Sequence, residues 1–348
     1  MSERGDLLAS IADTIKDYRA GEIAPPTPDH VDRWISQFDN AIQVPLLREI
    51  DHVLKQTYFS KSNVSEFFAK QIDHKKLAGD KPCEFWRAVH MLDIQQDGHS
   101  QMEIRELFGE ALKKQCGFEI DECGSAGGAF IYLDDVLFSG GRIGGDLAAW
   151  IEEEAPAKAT VHILVIASHR LGEWQCTNRL KKAAMDTGKE LELHCWAAIR
   201  FENRKSYRNK SEVLWPVEIP EDVALQAYIA EEHRFPFEPR QPGGKLENAI
   251  FSSEEGRQLL ERELLLVGMR IRSFSQNPSR LLRPLGFSAF GLGFGSMIVT
   301  FRNCPNNTPL ALWWGDPNAA LGHPFRNWCP LLPRKTYTQG VNFNDINF

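Results

Sequence analysis

Residues Ala129 to Arg142 read Ala-Phe-Ile-Tyr-Leu-Asp-Asp-Val-Leu-Phe-Ser-Gly-Gly-Arg, and the order of residue types in this stretch decides the fold. Ala129 to Leu133 carry no charge and are long enough for a buried strand. Two adjacent carboxylates, Asp134 and Asp135, end it, and a small-residue turn, Ser139-Gly140-Gly141, follows. Gly145 to Glu154 then has helical spacing, with Leu147, Trp150 and Ile151 on one face. In a parallel sheet, ligands bind beyond the carboxyl ends of the strands. A glycine turn running into a helix offers backbone N–H groups to a phosphate. The acid pair stands where it can accept hydrogen bonds from sugar hydroxyls. These residue types point to recognition of a phosphorylated sugar. The plain alternative is a strand ended by a solvated acidic turn.

Outward from this stretch, the strand–turn–helix order repeats. Val161 to Ala167 is the clearest buried parallel strand in the chain, and it ends in Ser168-His169-Arg170. A neighbouring strand end would bring His169 and Arg170 toward the acid pair, where they could meet a pyrophosphate or a base; otherwise they form an exposed loop. Thr177 to Lys189 reads as a helix and Glu190 to Ile199 as a third strand, half exposed because Glu192 and His194 alternate with apolar residues. On the other side, Val89 to Ile94 is a strand or the end of a helix, and Gly117 to Ile120 could be a short edge strand. Ser100 with Glu103 forms a capping box for a helix through Lys113. The loop from Gln95 to Gln101 offers Gln95, Gln96 and His99 as polar contacts, or is a capped turn. The expected fold is α/β, a parallel sheet flanked by helices, with right-handed crossovers.

The rest of the chain divides as a helical leader or docking module at 1–78, the α/β core at 79–215, an insertion with a long helix at 216–295, and C-terminal strands completing the core at 296–348. Thr27-Pro28 is a strong helix start, a hydroxyl cap before proline. Ser253 to Ile271 reads as a long helix. Ser296 to Phe301 and Leu310 to Trp314 read as strands joined by a turn rich in Asn and Pro. Trp313 is either a stacking surface for a base or part of the core. Basic residues gather at Arg200 to Lys210 and again at Arg270, Arg272, Arg280 and Arg283; such runs are a ligand-facing patch or a solvated face.

Composition sets the outer bounds. The chain has 348 residues and a formal net charge of −7, which argues against broad electrostatic binding of nucleic acid. Its 7 cysteines form no CxxC pair, so a disulfide framework or zinc site is not expected and the cytoplasm is the natural compartment. The first residues have no signal-peptide core, and no run approaches the roughly 18 apolar residues of a membrane span. No convincing Ser-His-Asp or Cys-His constellation is present.

Asp134-Asp135-Val136-Leu137-Phe138-Ser139-Gly140-Gly141-Arg142 resembles the phosphoribosyl-pyrophosphate (PRPP) motif of type I phosphoribosyltransferases: an apolar strand, an acidic pair, a few mostly apolar residues, then Thr/Ser-Gly-x-Thr/Ser. The resemblance implies that Asp134 and Asp135 are the catalytic pair holding the ribose hydroxyls, and that Ser139, Gly140, Gly141 and Arg142 cradle the 5′-phosphate. It implies Mg²⁺ carried by the ligand, near Asp134, and not held by the protein alone. The loop at Gln95 to Gln101 would stand where the family has its pyrophosphate loop, which commonly carries a basic residue and glycines; only Gly98 is present here. The last Thr/Ser of the motif is Arg142, so a hydroxyl donor has become a guanidinium.

More widely, Trp34 to Phe38, Ile94 to Gln101, the acidic motif and Asn303 to Leu310 resemble phosphoribosyltransferase-like effectors of prokaryotic conflict systems, some encoded beside retron reverse transcriptases. That likeness implies anti-phage defence, with a partner such as a reverse transcriptase or its RNA. Three functions stand open: a glycosyltransferase moving a phosphoribosyl group, an inactive sensor that binds a phosphoribosyl nucleotide and docks through its leader, and a nucleotide glycosidase using water in the same pocket.

Overall fold

The computed structural model describes residues 2–95, 100–124, 127–231, 236–289 and 291–334. The described chain forms two compact units. One is built from Met1–Ser60 and Arg208–Phe348, the other from Lys61–Tyr207.

The first unit is mainly helical. It holds α1 (Glu3–Thr14), α2 (Pro28–Ile35), α3 (Gln43–Thr57), β1 (Tyr58–Phe59), α10 (Val223–Glu231), α11 (Glu254–Ser273), β7 (Val299–Thr300) and α12 (Leu310–Trp313). The start of α2 is the one read from sequence: Thr27 Oγ1 accepts the N–H of His30 at 3.2 Å, and Pro28 stands in the first turn. Ser253 caps α11 in the same way, accepting from Gly256 N–H at 3.0 Å. The helices meet through buried apolar faces, Leu8 and Ile11 of α1 and Leu46, Leu47 and Ile50 of α3 among them.

The C-terminal strands are the main correction. Only Val299–Thr300 is a strand, and it pairs in parallel with β1, inside the first unit. Leu310–Trp313, expected as a strand, is a short helix opened by Pro309. Its Ala311 carbonyl accepts the indole N–H groups of both Trp34 and Trp328, at 2.9 and 3.0 Å. Those buried donors need an acceptor, and the helical turn supplies it. The expected leader, 1–78, contributes to both units, since α4 (Lys61–Ile72) and α5 (Lys75–Ala78) pack in the second.

The second unit is the α/β core. It continues with α6 (Pro82–Ala88), β2 (His90–Met91), α7 (Ser100–Cys116), β3 (Phe130–Leu133), β4 (Val136–Leu137), α8 (Gly141–Glu153), β5 (Lys158–His169), α9 (Arg170–Thr187) and β6 (Glu190–Phe201). All pairings of its five-stranded sheet are parallel. β5 is central: β3 and then β4 occupy one edge of it and β6 the other, with β2 beyond β3. Leu147 and Ile151 of α8 and Leu180 and Ala184 of α9 bury one sheet face against Tyr132, Val161, Ile163 and Val165. The alternation of β5 explains this, because odd residues point to these helices and even ones away.

Two local expectations change. Gly117 to Ile120 is no strand; a 3-10 turn, Ile120–Glu122, follows α7. The cysteine reading is also corrected, because Cys83 and Cys116 form a disulfide. They are 33 residues apart, a spacing without a motif, and only the packing of α6 and α7 brings their Cα atoms to 5.3 Å.

Candidate functional site

The acid pair sits in a short break between β3 and β4. The register is Leu133↔Leu164 before it and Val136↔Ala167 after it, so no residue is inserted. The backbone ladder continues through the pair: Asp134 N–H donates to Leu164 O at 3.1 Å, and Ile166 N–H donates to Asp135 O at 2.8 Å. Asp134 is buried, at 2% exposure, and Asp135 is half-buried. Each carboxylate is oriented by the next peptide. Asp134 Oδ1 accepts Asp135 N–H at 2.9 Å, and Asp135 Oδ1 accepts Val136 N–H at 2.6 Å. Hydrogen bonds to a charged acceptor are the strong kind.

Beneath Asp134 lies Tyr132, whose hydroxyl donates to Asp146 Oδ2 of α8 at 2.8 Å. Burial, then the carboxylates of Asp134 and Asp146, push the Tyr132 hydroxyl well above its ordinary range, and the Arg142 guanidinium pulls the other way. The phenol therefore stays protonated as a donor. Tyr132, Asp134, Arg142 and Asp146 form one electrostatic group.

The turn after β4 is built on glycine. Gly140 has φ of +76°, the left-handed region that glycine enters without strain, and it is the cap of α8. Ser139 is exposed, and its Oγ accepts Gly141 N–H at 3.3 Å. Gly144 N–H returns to Gly140 O at 3.0 Å. The first N–H groups of a helix have no partner within it, and Ser139 Oγ takes that of Gly141; this end of α8 is the one suited to an anion. Arg179 of α9 donates to Gly141 O at 3.3 Å, adding a cation beside this turn.

The other residues read from sequence fall in different places. Gln95 lies beyond β2; its N–H donates to Gln101 Oε1 at 3.0 Å, and its Oε1 accepts Gln101 N–H at 2.9 Å. His99 lies outside the described residues, as do Gln96 and Gly98. His169 is fully buried, with Nδ1 3.2 Å from Leu137 O and its ring stacked on Phe138 at 5.1 Å. Burial holds its pKa down at about 4. Arg170 opens α9 and faces Glu202 at 4.0 Å. Trp313 belongs to the first unit, where its indole donates to Thr308 O at 2.8 Å.

Several members of the basic runs serve internal bonds. Arg204 pairs with Glu202 at 2.6 Å and Arg208 with Glu238 at 3.3 Å. Arg272 donates to Leu282 O, and Arg283 to the carbonyls of Ser288, Ala289 and Gly291.

Sequence reasoning missed three contributors. Gln101 is buried and donates to both Leu92 O at 3.2 Å and Leu133 O at 3.4 Å, tying the loop after β2 to the end of β3. Asp146 was readable as an acid on the apolar face of α8, one turn after Arg142. Gly172 was readable as a glycine just after a strand, but its role depends on a contact that spacing does not encode.

Among the described residues, no group of three or more His, Cys, Asp or Glu could hold a metal ion, and no helix is long and apolar enough to cross a membrane. A model of the family described as PRTase-CE matches residues 31–334. No curated protein matches the chain, and no solved structure does.

Proposed function

The chain belongs to the PRTase-CE family, and from that premise we propose that it binds PRPP or a phosphoribosyl nucleotide at the carboxyl end of β3 and acts on its anomeric bond. One observation carries this reading: an in-register acid pair leads through a left-handed glycine into the N-terminus of α8. Asp135 faces the ribose hydroxyls and Asp134 supports it from below. Ser139 to Arg142 receive the 5′-phosphate, with Arg142 supplying charge where the resembling motif has a hydroxyl.

Breaking the anomeric bond passes through a cation-like sugar, which the oxygen-rich acid pair stabilises. Such a step needs positioning and charge more than a nucleophilic side chain. The donor set fits Mg²⁺ arriving on the ligand, since carboxylates and phosphate oxygens are its preferred partners. Bound there, the ion would neutralise the departing pyrophosphate. We assign this activity to an effector in prokaryotic anti-phage defence.

The burial of Asp134 favours a second reading, a sensor that binds the phosphoribosyl group without turning it over. Product analysis after incubation with PRPP or nucleotide mixtures separates the two. Release of pyrophosphate or free base that stops in Asp135→Ala supports transfer or hydrolysis. Binding without turnover supports the sensor, and neither binding nor turnover removes both.

A further inference from the structure

The candidate phosphoribosyl site uses the carboxyl end of the sheet. At the opposite, amino end of β3, β5 and β6 lies an open cleft of about 680 Å³. Its walls include Phe85 of α6, Phe130 of β3, Thr160 and His162 of β5, and Glu192 of β6. His162 is even-numbered in β5, so it points away from α8 and α9.

His162 is 7% exposed and sits in a cluster of rings: Phe85 edge-on at 6.2 Å, His194 stacked at 4.9 Å and Trp196 at 6.0 Å. The Trp196 indole N–H lies 3.0 Å from His162 Nδ1. An indole nitrogen can only donate, so Nδ1 is the acceptor and the proton of the neutral ring is on Nε2. Burial, then the neighbouring His194, lower the His162 pKa to about 4, so the neutral form is the one present at neutral pH. The cleft thus contains a fixed, uncharged N–H donor.

Glu192 supplies the complementary acceptor. Its Oε2 takes the Thr160 hydroxyl at 3.4 Å, and its Oε1 lies 3.1 Å from His194 Nε2. These contacts orient the carboxylate and leave part of its four-site acceptor capacity open. Lys158, also in the wall, is paired with Glu190 at 2.7 Å. With two carboxylates and one already paired ammonium, the cleft disfavours a phosphate.

One aromatic wall, Phe85, with a neutral donor and a carboxylate, matches a flat nitrogen heterocycle that bears an amino group. We propose that this cleft binds a free nucleoside with an exocyclic amine, its amino group on Glu192, a ring acceptor on His162 Nε2–H, and its base against Phe85. None of these residues belongs to the candidate phosphoribosyl site, so the two readings stand or fall separately.

Calorimetric titration of the full chain with adenosine, guanosine, cytidine, uridine and thymidine tests this. The expected result is saturable binding of at least one of the first three, with no binding of uridine or thymidine, which lack the amine. Glu192→Gln should lower that affinity tenfold or more; Glu192 is largely exposed, so the variant should fold. Asp135→Ala should leave it unchanged. No saturable binding at millimolar nucleoside, equal binding of uridine, or undiminished binding by Glu192→Gln would overturn the proposal. Loss of binding in Asp135→Ala would also overturn it, by assigning the nucleoside to the other end of the sheet.

Discussion

Gly140 and Gly172 meet backbone against backbone. A Cβ on Gly140 would fall well inside 3.0 Å of the Gly172 carbonyl oxygen, and a Cβ on Gly172 would do the same to the Phe138 carbonyl. The turn after β4 is thereby seated on the first turn of α9, which sets where the N-terminus of α8 points. The two glycines join the turn after β4 to the helix that follows the adjacent strand β5.

Gly172→Ala should therefore cost about 1–3 kcal/mol, the usual penalty of overpacking, and displace the turn from Ser139 to Gly141. Gly140→Ala should add the left-handed penalty of roughly 1–2 kcal/mol. Urea unfolding measures both. Unchanged midpoints would mean that the two loops do not pack as described.

Tyr132→Phe removes the hydroxyl that donates to Asp146 and leaves a buried carboxylate short of a donor. A loss of about 1–3 kcal/mol is expected. The double variant Tyr132→Phe, Asp146→Leu should recover part of it, since removing both partners removes the unmet acceptor. Additive losses in this double-mutant cycle would contradict the coupling.

The buried histidines give the stability a pH dependence of known sign. His169 and His162 titrate at about 4 in the folded chain, below the ordinary value of 6.5. Between these values the unfolded chain binds more protons, so stability should rise with pH through this window and be lost as pH falls from about 6.5 toward 4. Each pKa unit corresponds to about 1.4 kcal/mol, and the fully buried His169 should contribute a few kcal/mol. His169→Asn should flatten the profile over this range; an unchanged slope would show that His169 is not held neutral.

The Cys83–Cys116 disulfide closes a loop spanning 33 residues. Chain-entropy arguments assign such a crosslink about 3–4 kcal/mol. Reductant, or Cys83→Ser, should lower the urea midpoint accordingly, and reductant should then have no further effect on Cys83→Ser. Equal stability with and without reductant in the wild type would show that the two thiols are not joined.

The parallel core was legible because its signals are local. The uncharged run before Asp134, the run from Val161 and the alternation after Glu190 each announce a strand, and the glycine turn announces the start of α8. The second C-terminal strand was misread because Leu310 to Trp313 is apolar on every side, which a short buried helix and a strand share. The acid pair and the glycine turn after it were readable as a contiguous stretch. Gln101, Gly172 and Arg179 were not, because their contacts reach across 32 to 38 residues. His169 was expected just past the strand, but it is the last residue of β5, and which way its ring turns depends on Phe138 and Phe201.

The central claim is that Asp135 and the turn from Ser139 to Arg142 hold a ribose 5-phosphate group. A carboxylate hydrogen bond to a ligand hydroxyl contributes roughly 1.5–3 kcal/mol, so Asp135→Ala should weaken binding about tenfold to a hundredfold. Ligand at about 100 times its dissociation constant stabilises the fold by roughly 2.7 kcal/mol. The most direct measurement is the thermal shift of wild type and Asp135→Ala with PRPP, ribose 5-phosphate and nucleoside monophosphates, with and without Mg²⁺. A rise in wild-type Tm that is largest for PRPP with Mg²⁺ and disappears in Asp135→Ala is the predicted result. Equal shifts in both proteins, or none in either, would contradict it.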